Sequence, residues 1–166
     1  MTIKANEVVP DATLTETTTF GEACPLSPQP VHVQEALKGK KVVIFGVPGA
    51  FTPTCSAQHV PGYLKNLDAL KAKGVDEVWC VAVNDGFVMA AWGQASHGIG
   101  KLRFLGDGSA DFAKKLGLVL DLTAAGMGPR MERFSMLVEN GVAKTINVEP
   151  PKSFGVSSAE TMLTQV

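Results

Sequence analysis

The chain has 166 residues, of which 45% are apolar and 19% are charged, and its formal net charge is −1. This composition is typical of a globular protein, and the small net charge predicts no electrostatic attraction to nucleic acid or to a membrane surface. The apolar runs are too short to span a bilayer, and three cysteines without a Cys-x-x-Cys pair argue against disulfide and zinc frameworks. We therefore expect one domain over residues 1–166, in a reducing cytoplasm, with no metal and no cofactor.

The first strongly predicted strand follows a segment without clear periodicity. Residues 11–33 are rich in Thr and Pro and are expected to form irregular structure or short edge strands. Residues 41–47 are an unbroken apolar run with β-branched side chains, which is typical of a central strand covered on both faces. A helix with one apolar stripe is then predicted over residues 53–72. Pro61 lies inside it and should kink or interrupt it, because proline has no amide donor.

Two further pairs of strand and helix follow along the chain. Residues 77–83 are a second buried-strand candidate, and Asn84-Asp85-Gly86 is expected to end it and to cap a helix over residues 87–95. A short third strand is predicted over residues 102–105. Ser109 is then expected to open a helix that stops at Gly117.

The C-terminal part has the pattern of a hairpin followed by a helix. Asn140-Gly141 separates two β-prone runs within residues 134–148, the signal of a tight hairpin turn. Ser157-Ser-Ala-Glu160 is a capping box that predicts a C-terminal helix. Strands that alternate with helices imply a parallel core sheet, to which the hairpin adds an antiparallel edge. The predicted fold is therefore α/β and thioredoxin-like, with a central mixed sheet flanked by helices on both faces.

The loop after the first buried strand delivers Cys55 to the start of a helix. Thr52 is a plausible N-cap, and Pro53 suits the first helical position because that position needs no amide donor. Cys55 then occupies the third helical position, where free backbone N–H groups and the helix dipole favour an anion. This placement makes the thiol a candidate nucleophile.

The residues around Cys55 resemble the active-site signature of the peroxiredoxins, Pro-x-x-x-Thr-x-x-Cys, which is present here as Pro48, Thr52 and Cys55. The longer wording, with His59-Val-Pro-Gly62 behind it, is similar to the atypical type II branch. The resemblance continues through residues 81–89 and 133–136 to 147–149. It implies a thiol-dependent peroxidase that reduces hydrogen peroxide and small alkyl hydroperoxides through a sulfenic acid at Cys55, in a homodimer packed through loops near the site.

A peroxidase needs more than an ionised thiol, because an ordinary cysteine is already about 3% thiolate at neutral pH and full ionisation gains only about thirty-fold. The pocket must also stabilise charge on the departing oxygen. The Thr52 hydroxyl could bond both the thiolate and a peroxide oxygen, and Arg133 would favour the thiolate and orient oxygen acceptors. The resemblance implies that the backbone N–H groups of Thr54 and Cys55 donate to peroxide. Pro48 would shield the sulfur from water.

Two of these assignments have rivals in the sequence. Arg130 competes with Arg133, but residues three apart on a strand face opposite sides, and the resemblance favours Arg133. His59 lies four residues after Cys55, near one helical face, where it could tune the thiolate or fill a structural role at the helix bend; the structural role is favoured. None of the three histidines has a partner at metal-ligand spacing.

The residue that reduces the sulfenic acid is open between internal and external thiols. Cys80 matches a second cysteine of plant-type relatives, yet it lies in a buried strand, and a disulfide needs the two Cα atoms within about 7 Å. Cys24 lies in the Pro-rich N-terminal segment, and residues 150–158, where another branch carries its resolving cysteine, contain none. The prediction is a one-cysteine cycle reduced by glutathione, with or without glutaredoxin, or by thioredoxin. The alternative is a peroxide sensor or redox-relay protein that uses Cys55 to signal.

Overall fold

A computed structural model describes all residues 1–166 and has a seven-stranded mixed sheet at its centre. The strands are β1 (Thr13–Glu16), β2 (Thr19–Phe20), β3 (Pro25–Leu26), β4 (Gln29–His32), β5 (Lys41–Gly46), β6 (Glu77–Ala82), β7 (Arg103–Gly106), β8 (Val119–Leu122), β9 (Gly128–Met131), β10 (Phe134–Glu139) and β11 (Val142–Val148). In the sheet they run in the order β11-β10-β5-β6-β7-β1-β4, and β2–β3 and β8–β9 form separate two-stranded ribbons.

Helices cover both faces of this sheet. They are α1 (Val33–Leu37), α2 (Val60–Lys65), α3 (Leu67–Ala72), α4 (Gly86–Ala95), α5 (Asp111–Leu116) and α6 (Ala159–Leu163), with a π-helical turn at Cys55–His59 and a 3₁₀ turn at Thr123–Ala125. α1 and α5 contribute to the apolar cluster on one face, whereas α2, α3, α4 and α6 contribute to the cluster on the other. No helix is both long and apolar enough to cross a membrane. The predicted α/β fold with a mixed sheet between two helical layers is confirmed.

β5 is the central strand that its apolar run predicts. It pairs in parallel with β6 and antiparallel with β10. Val42 and Ile44 belong to the apolar cluster on one face of the sheet and Val43 and Phe45 to the cluster on the other, and all four are fully buried. Because side chains alternate along a strand, burial on both faces requires an unbroken apolar sequence.

The helix predicted over residues 53–72 begins at Pro53, but it is not one continuous α-helix. Its Cys55–His59 turn is π-helical: the Val60 amide donates to the Cys55 carbonyl, five residues back. This widened turn lies directly before Pro61, whose ring cannot supply the next amide donor, so the predicted interruption is confirmed. A second break, at Asn66, separates α2 from α3.

Three of the four predicted helix caps, at Thr52, Ser109 and Ser157, differ from the structure, and α5 shows why. Asp85 caps α4, as predicted, by accepting from the Val88 amide at 2.8 Å. Ser109 makes no such contact. The cap of α5 is Asp107, whose two carboxylate oxygens accept from the amides of Phe112 and Ala113 at 3.1 and 2.9 Å. A carboxylate offers two acceptors where serine offers one hydroxyl, so it satisfies two free helical amides at once.

The C-terminal helix starts one residue later than the capping box predicts. Ser158, not Ser157, is its cap and accepts from the Thr161 amide at 3.2 Å. Ser157 is fully buried and bonds elsewhere. The hairpin prediction is confirmed: Asn140 and Gly141 have φ of 47° and 76°, the left-handed conformation that a tight hairpin turn requires.

Short elements escaped prediction from the sequence. β4 bears out the edge strands expected in residues 11–33, since it forms one edge of the main sheet, whereas β1 lies inside the sheet between β7 and β4. α1 and the β8–β9 ribbon were not predicted. Each has only four or five residues, too few to show a helical or alternating period in the sequence.

Candidate active site

The loop between β5 and the Cys55 turn lies at the carboxyl ends of parallel strands, where open α/β sheets form their crevices. Its backbone is held by neighbours on both sides. The Val47 amide donates to the Val81 carbonyl at 3.1 Å, and the Ala50 amide donates to Asn84 Oδ1 at 3.0 Å. The Asn84 side chain, which follows β6, therefore fixes the loop that leads to the cysteine.

Cys55 is fully buried at the first residue of the π-helical turn. The backbone N–H groups of Thr54 and Cys55 donate to no acceptor within the protein. These are the two amides assigned to peroxide at the sequence level, and both are free to donate to a bound oxygen. Ser56, the next residue, accepts from the Trp92 indole N–H at 3.0 Å, which ties the turn to α4.

Arg133 reaches Cys55 from the segment between β9 and β10. Its Nη2 donates to Cys55 Sγ at 3.1 Å, across 78 residues of sequence. Arg130 lies in β9 and donates through Nε to the Met127 carbonyl at 2.9 Å. A Cβ on Gly49 would lie 3.0 Å from Arg130 Nη1, so this second guanidinium lines the loop. The structure thus brings Arg133 into contact with the Cys55 sulfur, whereas Arg130 packs beside the loop at Gly49.

Thr52 does not do what was expected of it as a cap. No side-chain hydrogen bond caps the turn, and the hydroxyl donates instead to the Gly49 carbonyl at 2.7 Å. The expected bond from this hydroxyl to the thiolate is also absent, because its one proton is already used. The oxygen keeps its lone pairs and can accept a hydrogen bond from a peroxide O–H. Pro48 is half-buried at the start of the same loop.

His59 lies behind Arg133 and is fully buried. Its Nδ1 accepts from Arg133 Nη1 at 3.0 Å, and its Nε2 lies 3.0 Å from the Ser157 carbonyl. A carbonyl can only accept, so Nε2 carries the proton and the ring is the neutral tautomer with Nδ1 free to accept. Burial, and then the charge of Arg133, lower the pKa of His59 to about 3. The ring therefore stays neutral at physiological pH.

This buried neutral histidine predicts a loss of stability in mild acid. Its pKa is about 3 in the folded state and about 6.5 when unfolded, so only the unfolded chain gains a proton between these values. Stability is complete above pH 6.5 and falls by about 1.4 kcal/mol per pH unit below it, or about 2 kcal/mol at pH 5. Urea unfolding at pH 7 and pH 5 measures this loss. His59→Asn is the control, and an equal pH dependence in that variant would contradict the assignment.

The other two cysteines are not brought into bonding contact with Cys55, and all three thiols are free. Cys80 is fully buried in β6, beside Phe45 of β5 in the parallel register. Burial, and then the nearby Cys55, raise the pKa of Cys80 well above its ordinary value, so it remains a protonated and unreactive thiol. Cys24 is exposed and lies outside the elements that form the site.

Several residues that build the site were missed at the sequence level. Asn84 was assigned only to the end of a strand and the cap of the next helix, Ser157 only to a helix cap, and Trp92 and Glu149 were given no role. Their contacts join segments that lie far apart in the sequence, which a local pattern does not reveal. Nowhere do three His, Cys, Asp or Glu side chains converge closely enough to ligate a metal.

Comparison with known proteins finds a family model and several similar proteins that match nearly the whole chain. The Redoxin family model matches residues 4–163. "Peroxiredoxin-2D" of Arabidopsis thaliana is 47% identical over 161 residues, covering 97% of this chain and 96% of that protein. Reduced Prx3 from Vibrio vulnificus, solved in complex with hydrogen peroxide, is 49% identical with a TM-score of 0.90 and covers 98% of both chains. A protein from Burkholderia cenocepacia, described as a suspected thioredoxin reductase, is 50% identical with a TM-score of 0.95 over 100% of this chain and 99% of that one.

Proposed function

This chain belongs to the Redoxin family and is a peroxiredoxin, a thiol-dependent peroxidase, and from that premise we propose that it reduces hydrogen peroxide and small alkyl hydroperoxides with Cys55 as nucleophile and glutathione as reductant. The observation that carries the proposal is the 3.1 Å contact between Arg133 Nη2 and the buried Cys55 sulfur. A structural cysteine needs no cation. Peroxide bound to the similar Vibrio vulnificus protein supports the substrate class.

In the first step the Cys55 thiolate attacks one peroxide oxygen. An S–O bond forms and the O–O bond breaks, so that sulfur is oxidised to a sulfenic acid while the peroxide is reduced. The departing oxygen takes a proton from solvent and leaves as water or an alcohol. The free amides of Thr54 and Cys55 and the guanidinium of Arg133 stabilise the charge as it moves from sulfur to oxygen. The Thr52 hydroxyl donates its proton to the Gly49 carbonyl, so its oxygen is free to accept a hydrogen bond from the O–H of the bound peroxide.

Glutathione then restores the thiol in two exchanges. Its thiol attacks the sulfenic sulfur, which releases water and leaves a mixed disulfide on Cys55. A second glutathione attacks that disulfide, which yields the free Cys55 thiol and oxidised glutathione. Glutaredoxin would accelerate the second exchange, and thioredoxin is the alternative donor. The burial of Cys80 supports an external reductant, and the absence of a Cys-x-x-Cys pair disfavours a disulfide reductase.

The proposed cycle predicts that Cys80 is dispensable. Cys80→Ala removes the thiol without burying a hydroxyl, and we expect it to keep at least about half of the glutathione-dependent turnover, since a buried protonated thiol cannot compete with an external one. The measurement is peroxide consumption coupled to glutathione reduction, run in parallel with thioredoxin. Cys24→Ser serves as the matched control. Near-complete loss in the Cys80 variant would instead assign Cys80 as the resolving residue.

The sensor alternative uses the same sulfur and differs only in the fate of the oxidised cysteine. Many turnovers per molecule support the antioxidant enzyme, whereas one oxidation that persists in excess glutathione supports a sensor. We also propose a homodimer in the cytoplasm. Phe51 and Phe87 expose 58% and 47% of their surface and lie in or next to the segments that hold the loop, which supports association at this end. The need for a reduced Cys55 thiol supports the compartment.

A further inference from the structure

Glu149, which directly follows β11, folds the loop that covers Arg133. A single carboxylate oxygen, Oε1, accepts from the Gly155 amide at 2.6 Å, the Ser157 amide at 2.8 Å and the Ser157 hydroxyl at 3.1 Å. The backbone amide of Glu149 donates to the Arg133 carbonyl at 2.9 Å. One residue thus joins the backbone of Arg133 to the far end of the loop over residues 150–158.

That loop contacts the site at two places. The Ser157 carbonyl accepts from both His59 Nε2 and the Tyr63 hydroxyl, each at 3.0 Å. The Phe154 ring lies 5.0 Å from the His59 ring and 5.9 Å from the Arg133 guanidinium. Displacing Ser157 would therefore remove the acceptor that orients His59 and shift the aromatic wall beside Arg133.

We propose that Glu149 is a positioning residue for the peroxide reaction, acting through Ser157 and His59 on Arg133. The inference rests on the proposed function and concerns how its pocket is held. With its proton on Nε2, His59 offers Nδ1 as the acceptor for Arg133 Nη1. This bond orients the guanidinium so that Arg133 Nη2 donates to Cys55 Sγ. A reacting group displaced by about 1 Å slows a reaction by about 10²-fold. Glu149 prevents that displacement without touching substrate.

The charge and the length of Glu149 both matter in this arrangement. Hydrogen bonds to a carboxylate are about twice as strong as those between neutral groups, and here three donors converge on one oxygen. Glutamine keeps an acceptor oxygen at the same distance and should preserve the fold of the loop in part. Alanine leaves two loop amides and a hydroxyl without their acceptor.

The test is the second-order rate constant for oxidation of the reduced protein by hydrogen peroxide, measured by stopped flow on folded protein. Glu149→Ala is expected to lower it by about 10- to 100-fold, and Glu149→Gln to restore it to within about 5-fold of the wild-type value. Glu160→Ala is the matched control, because that carboxylate accepts only from Asn66, and it should leave the rate unchanged. Should Glu149→Ala not fold, Glu149→Asp takes its place, with a loss of at least about 5-fold expected from its shorter reach.

A double-mutant cycle with His59→Phe separates positioning from mere stabilisation of the fold. If Glu149 acts through His59, the double variant reacts no more slowly than His59→Phe alone. Multiplicative losses, or a Glu149→Ala protein that melts earlier yet reacts at the wild-type rate, would overturn the inference. A wild-type protein that peroxide does not oxidise would instead overturn the proposed function, so the two failures are distinguishable.

Discussion

Replacing Cys55 with serine is expected to lower peroxide reduction by about 10⁴-fold or more, because the nucleophile itself is removed. Serine has nearly the same shape but a hydroxyl that ionises far less readily than a thiol. The pocket cannot compensate with a general base, since His59 Nδ1 is occupied by Arg133. Peroxide consumption in the presence of glutathione measures the loss.

The Cys55→Ser protein should remain folded, so circular dichroism and the melting temperature are recorded beside activity. Cys24→Ser is the control for thiol loss in general and should retain wild-type turnover, because Cys24 is exposed and has no contact with the site. Substantial peroxide reduction by Cys55→Ser, or its loss in Cys24→Ser, would mean that another thiol carries the reaction.

The second large effect is expected at Arg133. Methionine at this position should lower the rate of Cys55 oxidation by about 10²- to 10³-fold, the range found when one preorganised donor to a developing charge is removed. Lysine should recover only part of the rate, because a point charge cannot reach both Cys55 Sγ and His59 Nδ1 as the planar guanidinium does. Stopped-flow oxidation of the reduced variants measures both changes.

Arg130→Met is the matched control for this prediction. Arg130 carries the same charge and lies beside the Gly49 loop, but its Nε hydrogen bond goes to the Met127 carbonyl and not to the sulfur. We expect a loss smaller than about 10-fold, because the loop keeps its bonds from Asn84 and Thr52. Equal losses in the two arginine variants would show that overall charge, and not the contact with Cys55, controls the rate.

The elements with a long apolar signal were predictable from the sequence. β5 and β6 are buried on both faces, so no polar residue interrupts the interior of either sequence. Pro61 likewise indicates, from the sequence alone, where the helix after β5 is interrupted. Caps were less predictable, since Ser109 and the buried Asp107 lie two residues apart and only the folded loop decides between them. Thr52 shows the same limit, because its hydroxyl bonds to a carbonyl of its own loop.

In the candidate site, too, residues that are close in sequence were predictable and contacts between distant segments were not. Pro48, Thr52 and Cys55 lie within eight residues of one another, so a motif contains them. The contact between Arg133 and Cys55 spans 78 residues, and the bond from His59 to the Ser157 carbonyl spans 98. Such contacts depend on the register of β10 against β5 and on the path of the C-terminal loop. The role of His59 as an acceptor for Arg133 could not be read from its spacing to Cys55 alone.

Because Cys55 is buried, different motions of the protein limit the rates of its oxidation and of its reduction in the proposed cycle. Cys55 exposes none of its surface, so both reactants need the pocket to open, and a tripeptide such as glutathione needs a larger opening than a hydroperoxide of a few atoms. In the proposed cycle, oxidation then depends on a small local motion, whereas reduction by glutathione waits for a larger opening of the protein. Above a certain glutathione concentration, the lifetime of the sulfenic acid is then set by the rate of this larger opening. Substitutions that change the opening rate would change that lifetime without altering the residues that contact the sulfur.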